Sequence, residues 1–505
     1  MQKDGYIAGT DSKQSVLFPD MIDDYITPDN PVRFIDAFVD ALDLKAMSFT
    51  QSEPCETGRP PYNPGDELKL FIYGYLNHVR SSRKLERECA GNVEVTWLMR
   101  KLMPDFKTIA DFRKENAPIL KDVFRMLNSV CDEFRLFGKE LIGVDGSKFR
   151  AVNSKNNCPT EEELEHRLRK MDERIEQYMT QMEESDAAES ADKSTGQSDD
   201  TESMHSKLER LKAKKTVLQN ALAELRESGE KRISLTDRDS RMMKDKDGTN
   251  VCHNVQIAVD SANRLIAEFE AVSDETDYNC LHSVSASAKE ALDVKTIGVV
   301  ADKGYHNYSD IKKCTDADIV PFVPVRRSGI GRRNPVPAEG FYSEDFRYDA
   351  AMNIHVCPAG NTLEYRYTVN RSNGISFMAY STDACASCPL KQKCTGSPAG
   401  RIIRRRVEQD AVDAMNARMA ATPGIMRKRS GLCEHPFGTI KRAFDSGYFL
   451  LRGHEKVNGE LALMMTACNM RRLFTIVGVN QLLNRIGNRN NGMTPCAPSV
   501  SDVTT

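Results

Sequence analysis

The chain has 505 residues, of which 40% are hydrophobic and 28% are charged. These values are typical of a soluble globular protein, and the length predicts two to four modules. No run of about 18 apolar residues occurs, so the composition excludes a membrane-spanning protein. The first residues, MQKDGYIAGTDSKQ, lack the apolar core of a signal peptide, which predicts that the chain stays in the cytosol.

The net charge of −3 conceals a local asymmetry between two segments. Residues 160–230 contain 19 acids and 11 Lys or Arg, whereas residues 401–442 contain 4 acids and 10 Lys or Arg. A basic segment of this kind suits a nucleic-acid partner, because contacts with phosphates release bound counterions. A solvated basic face explains the same segment equally well.

Residues 1–138 are predicted to form a helical N-terminal domain. Helix starts are expected at Pro28 to Pro31, at Asn63 and Pro64, at Ser81 and Ser82, and at Thr108. The short helices and turns are compatible with a helix-turn-helix bundle that binds DNA. The candidate phosphate contacts are Arg80, Arg83, Lys84, Arg87, Lys107, Arg113 and Lys114.

Strand patterns replace helical ones after residue 138. KELIGVD is a short apolar run within residues 139–152, the predicted first strand of the sheet. Residues 251–325 contain a hairpin across Ser261 to Asn263, a helix near residues 278–292 and a strand at residues 296–301. This order predicts an α/β fold with a mixed sheet and flanking helices.

A first insertion is predicted at residues 153–250. Apolar residues recur there at alternating spacings of 4 and 3 in two series, on either side of the polar segment 185–203. This pattern indicates an antiparallel helical hairpin with a disordered tip. The hairpin is interpreted either as a dimerisation arm or as a pair of helices that pack only on each other.

A second insertion, at residues 326–410, is rich in cysteine. Its four thiols could close a tetrahedral Zn²⁺ site, although four reduced cysteines without an ion are the alternative. These residues are Cys357, Cys385, Cys388 and Cys394. Residues 411–480 are predicted to form the C-terminal helices of the catalytic domain, and residues 481–505 a disordered tail.

Two acids directly follow buried strands, at the sheet edge where α/β proteins place ligands: Asp145 after LIGV and Asp302 after GVVA. A third acid, Glu434, precedes Pro436, which suits the first turn of a helix, and Lys441 follows Glu434 by seven residues, nearly on the same face. Taken singly, each acid is also explained as a turn former, a helix cap or part of a surface charge pair.

As a set, the three acids suit phosphodiester chemistry. Two Mg²⁺ or Mn²⁺ ions about 4 Å apart can activate an attacking oxygen and stabilise a leaving one. Carboxylate oxygens are ligands that such ions prefer. The sequence therefore predicts a metal site made by Asp145, Asp302 and Glu434.

Four segments in order resemble the signature segments of bacterial insertion-sequence transposases: VDGSKFRAVNS, TDRDSRMM to NVQIAVD, VVADKGYHN and CEHPFGTIKRAF. The segments GRPPYNPGDELKLFIYGYLNHVRSSRKLERE and DFKTIADFRKEN are similar to the N-terminal domain of that family. The resemblance covers roughly residues 15–475. It implies an RNase H-like DDE catalytic domain in which Asp145, Asp302 and Glu434 are the catalytic acids.

The resemblance also implies partners and a reaction. Water would cut DNA at the terminal inverted repeats, and the freed 3′ hydroxyl would attack target DNA. Such enzymes act as dimers or larger assemblies on DNA, which implies a homodimer and a place at the nucleoid. The phosphate contacts implied beside the acids are Arg427, Arg429, Lys441 and Arg442.

The chain departs from the family pattern at some positions. Arg427 and Ser430 stand where many relatives carry a tyrosine and an arginine, which puts the identity of the DNA-contacting arginine in doubt. His253 replaces a tyrosine away from the acids. Two rival functions are a decayed transposase that binds ends and represses, and a metal-dependent nuclease that cuts without joining.

Overall fold

The computed structural model describes six stretches of the chain: residues 21–53, 60–191, 198–325, 340–372, 374–444 and 447–490. Within them, only the backbone is described at residues 185–191, 198–205, 344, 430, 434, 443 and 488–490. The fold is mixed α/β, with helices before a central mixed sheet and further helices after it.

In the described part of the chain, six α-helices precede the first strand. They are α1 (Pro31–Asp40), α2 (Pro64–Leu76), α3 (Ser82–Gly91), α4 (Val93–Leu98), α5 (Phe106–Glu115) and α6 (Leu120–Glu133). Asn30 and Asn63 cap α1 and α2, each followed by a proline at the first helical position, as the sequence predicts. Helix α5 starts two residues before Thr108, because the Asp105 carboxylate accepts the first free backbone N–H groups.

The central sheet has six strands: β1 (Leu141–Arg150), β2 (Arg241–Asp245), β3 (Gly248–Asp260), β4 (Ile266–Val272), β5 (Ile297–Val300) and β6 (Ile319–Phe322). The strand order is β2-β3-β1-β5-β6, and β4 also pairs with β3. Strands β1, β5 and β6 are parallel, and β3 is antiparallel to β1, β2 and β4. The predicted hairpin joins β3 to β4, whereas β2 was not predicted.

Helices connect the parallel strands. Helix α9 (Leu281–Ala291) lies between β4 and β5, and α10 (Tyr308–Asp316) lies between β5 and β6. Strand β5 reads IGVV and is almost fully buried, as expected for a parallel strand covered on both faces. The predicted sequence of strand, hairpin, helix and strand is therefore present.

The first insertion is a pair of antiparallel helices, α7 (Glu161–Ala191) and α8 (Ser198–Ser228). At its base, Leu164 packs with Leu218 and Leu225. The helices extend into the segment predicted as a disordered tip, and residues 192–197 of that tip lie outside the described chain. The two helices of the hairpin pack against each other. The role of the hairpin as a dimerisation arm stays a prediction.

The second insertion contains a five-stranded antiparallel sheet in the order β11-β10-β9-β8-β7. Its strands are β7 (Arg347–Asp349), β8 (Ile354–Val356), β9 (Thr362–Asn370), β10 (Ser376–Ser381) and β11 (Ile403–Arg406), with a short helix α11 (Lys391–Cys394). This sheet was not predicted from the sequence. The alternation of apolar and polar residues in TLEYRYTVN was the signal for β9.

Four helices follow: α12 (Gln409–Ala421), α13 (Ile425–Gly438), α14 (His454–Ile476) and α15 (Val479–Asn490), with a π-helical turn at Thr439–Ala443. Helix α15 overlaps the predicted tail, so the tail boundary at residue 481 was set too early. Val479, Leu482 and Ile486 are buried one helical turn apart, and α15 packs on α1. Residues 491–505 lie outside the described chain.

Helix α14 is the central element of the molecule. It is buried along most of its length and packs against α2, α6 and β4. Gly459 allows α14 to approach the backbone of Ala117 closely, because a Cβ at position 459 would lie 2.2 Å from the Ala117 backbone oxygen. The N-terminal helices and the sheet consequently share one hydrophobic core. Among the described helices, none combines the length and apolar character of a membrane span.

Candidate active site

The structure brings Asp145 and Asp302 to the same edge of the central sheet. Gly143 of β1 pairs in parallel with Val300 of β5. Each acid lies two residues beyond this pair, Asp145 within β1 and Asp302 just after β5. Both residues are partly buried. The sequence prediction that these two acids face one edge is therefore consistent with the strand register.

The glycines that follow the two acids shape their surroundings. Asp302 caps a short 3-10 turn, and its Oδ1 accepts the Gly304 N–H at 2.6 Å. A Cβ on Gly304 would lie only 2.8 Å from that oxygen. Asp145 Oδ1 similarly accepts the Gly146 N–H at 3.0 Å. Backbone donors thus orient both carboxylates.

Arg429 of α13 reaches the first acid. Its Nη2 lies 3.3 Å from Asp145 Oδ1, and the two side chains are 21% and 19% exposed. Burial raises the pKa of Asp145, the guanidinium opposes this rise, and the negative charges of Asp302 and Asp277 add to it. Of the three arginines implied by the family resemblance, Arg427, Arg429 and Arg442, Arg429 is the one that contacts Asp145. Arg427 and Arg442 have exposed side chains.

Glu434 belongs to helix α13, which packs against the central sheet. The helix packs on β1, β3 and β5, and a Cβ on Gly143 would lie 2.7 Å from the Sγ of Cys433, the residue before Glu434. The backbone of Glu434 is helical, and its side chain lies outside the described structure. The expected first-turn position was wrong, because Pro436 lies inside α13 near its end.

Lys441 lies in the π-helical turn that follows α13. Its Nζ donates to Ser147 Oγ at 2.7 Å and to the Lys148 carbonyl at 2.6 Å, and it lies 4.5 Å from the centre of the Phe149 ring. Burial lowers the pKa of Lys441 to about 8. The ammonium is therefore anchored on β1, two and three residues beyond Asp145.

Asp277 is a third carboxylate of this site that sequence reasoning missed. Its Oδ1 accepts the side-chain amides of Asn254 and Gln256, each at 2.8 Å, and lies 3.5 Å from Lys148 Nζ. A Cβ on Gly146 would lie 2.4 Å from the same oxygen, so glycine beside Asp145 makes room for Asp277.

The same network reaches the turn of the second acid. The Tyr305 hydroxyl donates to Gln256 Oε1, and Tyr305 ends the 3-10 turn that Asp302 caps. The available sequence signal was an acid shortly after β4, a strand that runs parallel to β1 and ends at the same edge. The three acids clustered in SDETDYN gave no indication of which one turns inward.

An open cleft of about 520 Å³ lies at this edge. Its walls come from the segment after β4, the turn after β5 and the end of β1. The lining residues are Lys148, Glu275, Thr276, Asp277, Tyr278, Asp302, Lys303 and Gly304. Carboxylates and ammonium groups thus line the same open cleft.

Two predicted phosphate contacts in the N-terminal helices were wrong. Arg80 and Arg113 are each only 5% exposed. Arg80 donates to the Tyr448 carbonyl and lies 3.9 Å from the buried Glu460, while Arg113 donates to the Tyr75 hydroxyl and the Arg80 carbonyl. Both guanidiniums therefore stabilise the core. Arg83 and Lys84, in contrast, are exposed on α3.

The four cysteines of the second insertion line one small pocket of about 20 Å³: Cys357, Cys385, Cys388 and Cys394. Burial raises the pKa of the Cys394 thiol, and the other three sulfurs add to the rise. Among the side chains that the structure describes, no group of three or more His, Cys, Asp or Glu is arranged to hold a metal ion. Zinc binding therefore stays a prediction.

His253 has a structural environment away from the acids. Its Nε2 lies 2.9 Å from Asp237 Oδ2, and both side chains are fully buried. Burial alone would raise the pKa of Asp237, but the hydrogen bond and charge of His253, together with the backbone N–H groups of Gly453 and Asp239, lower it overall. This pair ties the segment after the hairpin to β3.

Two family models match the chain. One, described as a Transposase DDE domain, matches residues 356–474, and the other, described as a Transposase domain (DUF772), matches residues 20–115. The first match includes Glu434, Lys441 and the four clustered cysteines, and neither match includes Asp145 or Asp302. No curated protein and no solved structure matches the chain.

Proposed function

Because the chain belongs to the insertion-sequence DDE transposases, we propose that it cuts DNA at the ends of an insertion sequence and joins those ends to target DNA. Asp145, Asp302 and Glu434 are the proposed catalytic acids. The observation that carries this proposal is the register of β1 and β5, which aligns Asp145 with Asp302 at one sheet edge.

The strand order supports an RNase H-like catalytic domain. A central β1 has an antiparallel neighbour on one side and the parallel β5 and β6 on the other. If the short β2 is left aside, Asp302 follows the fourth strand, as the family resemblance implies. Glu434 lies on a later helix that packs against the same strands.

The donor chemistry of the edge fits two Mg²⁺ or Mn²⁺ ions. Asp145 and Asp302 offer hard carboxylate oxygens, and Arg429 already places a positive charge 3.3 Å from Asp145 Oδ1. Carboxylates packed together disfavour their own ionisation, which bound cations relieve. When bound, such ions activate the attacking oxygen and stabilise the leaving oxygen of the phosphodiester. Glu434 is the proposed third ligand.

Residues of the chain position the DNA around the acids. Arg429 favours the ionised form of Asp145, against the raising effect of burial on its pKa, and is a proposed contact of the scissile phosphate. Lys441 fixes the segment after α13 to β1. The exposed Arg427 and Arg442 are further proposed phosphate contacts. Arg83 and Lys84 on α3 are the proposed contacts of the N-terminal helices with the terminal inverted repeats.

The assembly and location follow from this reaction. Cutting and joining two ends together requires both to be held at once, so the working form is proposed to be a homodimer on double-stranded DNA. A protein that acts on chromosomal DNA would lie in the cytoplasm at the nucleoid. Under this proposal the helical N-terminal region recognises DNA, although it shares its core with the catalytic sheet.

The proposal is tested by incubating the protein with end-containing DNA, a target plasmid and Mg²⁺. Joined products are expected, because the freed 3′ hydroxyl attacks the target. Cut ends without joined products would identify a nuclease instead. Binding without any cleavage would identify an end-binding repressor, and either result would overturn the proposal.

A further inference from the structure

A groove runs along the helical hairpin, outside the active-site cleft. One face of α7 and the facing side of α8 form its walls, and its volume is about 430 Å³. The lining residues are Arg174, Gln177, Tyr178 and Gln181 from α7 and Lys207, Arg210, Leu211 and Lys214 from α8. We call this feature the hairpin groove.

Helical spacing explains why these residues meet. On each helix the lining positions recur every three or four residues, which places them on one face. The ion pair between Lys215 and Asp172, at 2.5 Å, and the contacts of Arg226 with Glu161 and Glu165 fix the antiparallel register. In that register, the lining face of α7 lies opposite the lining face of α8.

The hairpin groove concentrates uncompensated positive charge. Its four cations, Arg174, Lys207, Arg210 and Lys214, are exposed. In the part of the hairpin that the structure describes, no acid lines the groove and no ion pair neutralises any of the four.

Three other cations in the described part of the hairpin, Lys212, Lys215 and Arg226, are paired with acids. Lys212 lies 3.3 Å from Glu209, and Arg226 contacts two glutamates. Residues 160–230 contain 19 acids against 11 Lys or Arg, yet none of the acids whose side chains the structure describes lines the groove. Like charges gathered in one groove repel each other, and an anionic ligand would relieve that repulsion.

The dimensions of the groove fit a nucleic-acid backbone. Seven residues of helix separate Arg174 from Gln181, a length of about 10 Å. Phosphates along one strand of B-DNA advance by about 3.4 Å per step, so the groove spans about three nucleotides. Gln177, Gln181 and Tyr178 add neutral donors of the kind that contact phosphate and sugar.

We propose that the hairpin groove binds the phosphate backbone of double-stranded DNA, as a contact separate from the active-site cleft. The proposal rests on the proposed function only in taking DNA as the substrate. The side chains are long, flexible cations and amides on exposed helix faces, so the contact is independent of base sequence. Its role is to extend the footprint of the protein on DNA.

Two full-length variants test this inference. The groove variant carries Arg174→Gln, Lys207→Gln, Arg210→Gln and Lys214→Gln. The control variant removes four exposed cations that are ion-paired and lie outside the groove, by Lys45→Gln, Arg125→Gln, Lys212→Gln and Lys312→Gln. Both variants change the net charge by the same amount. Circular dichroism checks that both remain folded.

The affinity of each protein for a duplex of about 40 base pairs is measured without Mg²⁺ at several NaCl concentrations. Each lost phosphate contact lowers the salt slope by about 0.9, so the groove variant should lose up to about 3.6 from the slope. Its affinity at 0.1 M salt should fall more than about tenfold, whereas the control should stay within about twofold of wild type. A groove variant that matches the control overturns the inference.

A change in the oligomeric state of the groove variant with an unchanged salt slope would also overturn the inference, because the groove would then be assigned to contacts between copies of the chain.

Cleavage of end-containing DNA at saturating protein separates this inference from the proposed function. The groove variant should cleave at the wild-type rate once DNA is saturated. A wild type that binds DNA through the groove but never cleaves would contradict the proposed function alone.

Discussion

At the scale of single residues, Asp145 experiences two opposing influences. Burial raises its pKa, and Arg429 lowers it. A carboxyl group with a raised pKa takes up a proton as the pH falls through that value, and a protonated acid no longer binds a metal ion. Arg429→Gln should therefore move the acidic limb of the cleavage profile to higher pH, by roughly one unit.

The measurement is the cleavage rate between pH 5 and 9 at saturating protein and fixed Mg²⁺. Lys428→Gln is the matched control, because it removes one exposed cation from the same helix. An acidic limb that lies at the same pH in both variants would show that Arg429 does not control Asp145.

Lys441 should make the cleavage rate depend on pH on the alkaline side of the profile as well. Its pKa is lowered to about 8 by burial, so the ammonium is lost as the pH rises through that value. Cleavage should decline above about pH 8, and Lys441→Arg should remove the decline, since arginine stays charged. Rates measured from pH 7 to 9.5 test this, and a decline that persists in Lys441→Arg would rule out Lys441 as its source.

At the scale of elements, the packing of α13 on β1 positions Glu434. Gly143→Ala would place a Cβ 2.7 Å from Cys433 Sγ and 3.2 Å from Leu432 Cβ. Overpacking of this kind should cost about 1–3 kcal/mol of unfolding free energy and displace the helix, so that cleavage falls as well. Denaturant unfolding and the cleavage rate are the two readouts.

The double variant Gly143→Ala with Cys433→Ala should recover part of both losses, because the closest atom is removed. Gly91→Ala is the control, since a Cβ there has no atom within 4 Å to meet. If Gly143→Ala is as stable and active as wild type, α13 is not held at β1 by this contact.

The cysteine pocket is the second element with its own test. Metal analysis of the purified protein should find about one equivalent of zinc, and Cys388→Ala should reduce it, because a structural site needs four ligands. Cys468→Ala, a change at a buried thiol on α14, should leave the zinc content unchanged. Less than half an equivalent of zinc in the wild type would refute the prediction.

At the scale of the whole molecule, local patterns predicted the order of strands and helices. An apolar run that ends in an acid and a glycine marked β1 with Asp145 and β5 with Asp302. The alternating spacing of apolar residues marked the two helices of the hairpin. These features depend on neighbours within a few residues, which is why the sequence alone was sufficient for them.

Features that depend on distant segments were not predictable in the same way. The burial of Arg80 depends on Glu460, 380 positions along the chain, and that pair lies in the core that the N-terminal helices share with α14. Asp277 turns inward because the side-chain amides of Asn254 and Gln256 on β3 donate hydrogen bonds to its carboxylate. Neither contact leaves a local pattern, so exposed phosphate ligands were predicted where the fold has buried charges.

The central claim, that Asp145, Asp302 and Glu434 act together in DNA cleavage, is tested most directly by the single variants Asp145→Asn, Asp302→Asn and Glu434→Gln. Their cleavage of end-containing DNA in Mg²⁺ is compared with that of Asp316→Asn, a change at an exposed acid on α10. Each of the three should lose more than about a hundredfold in rate while staying folded, because even groups that only hydrogen-bond to a metal ligand can cost about a hundredfold when changed. A folded variant of any of the three that cleaves near the wild-type rate would contradict the claim.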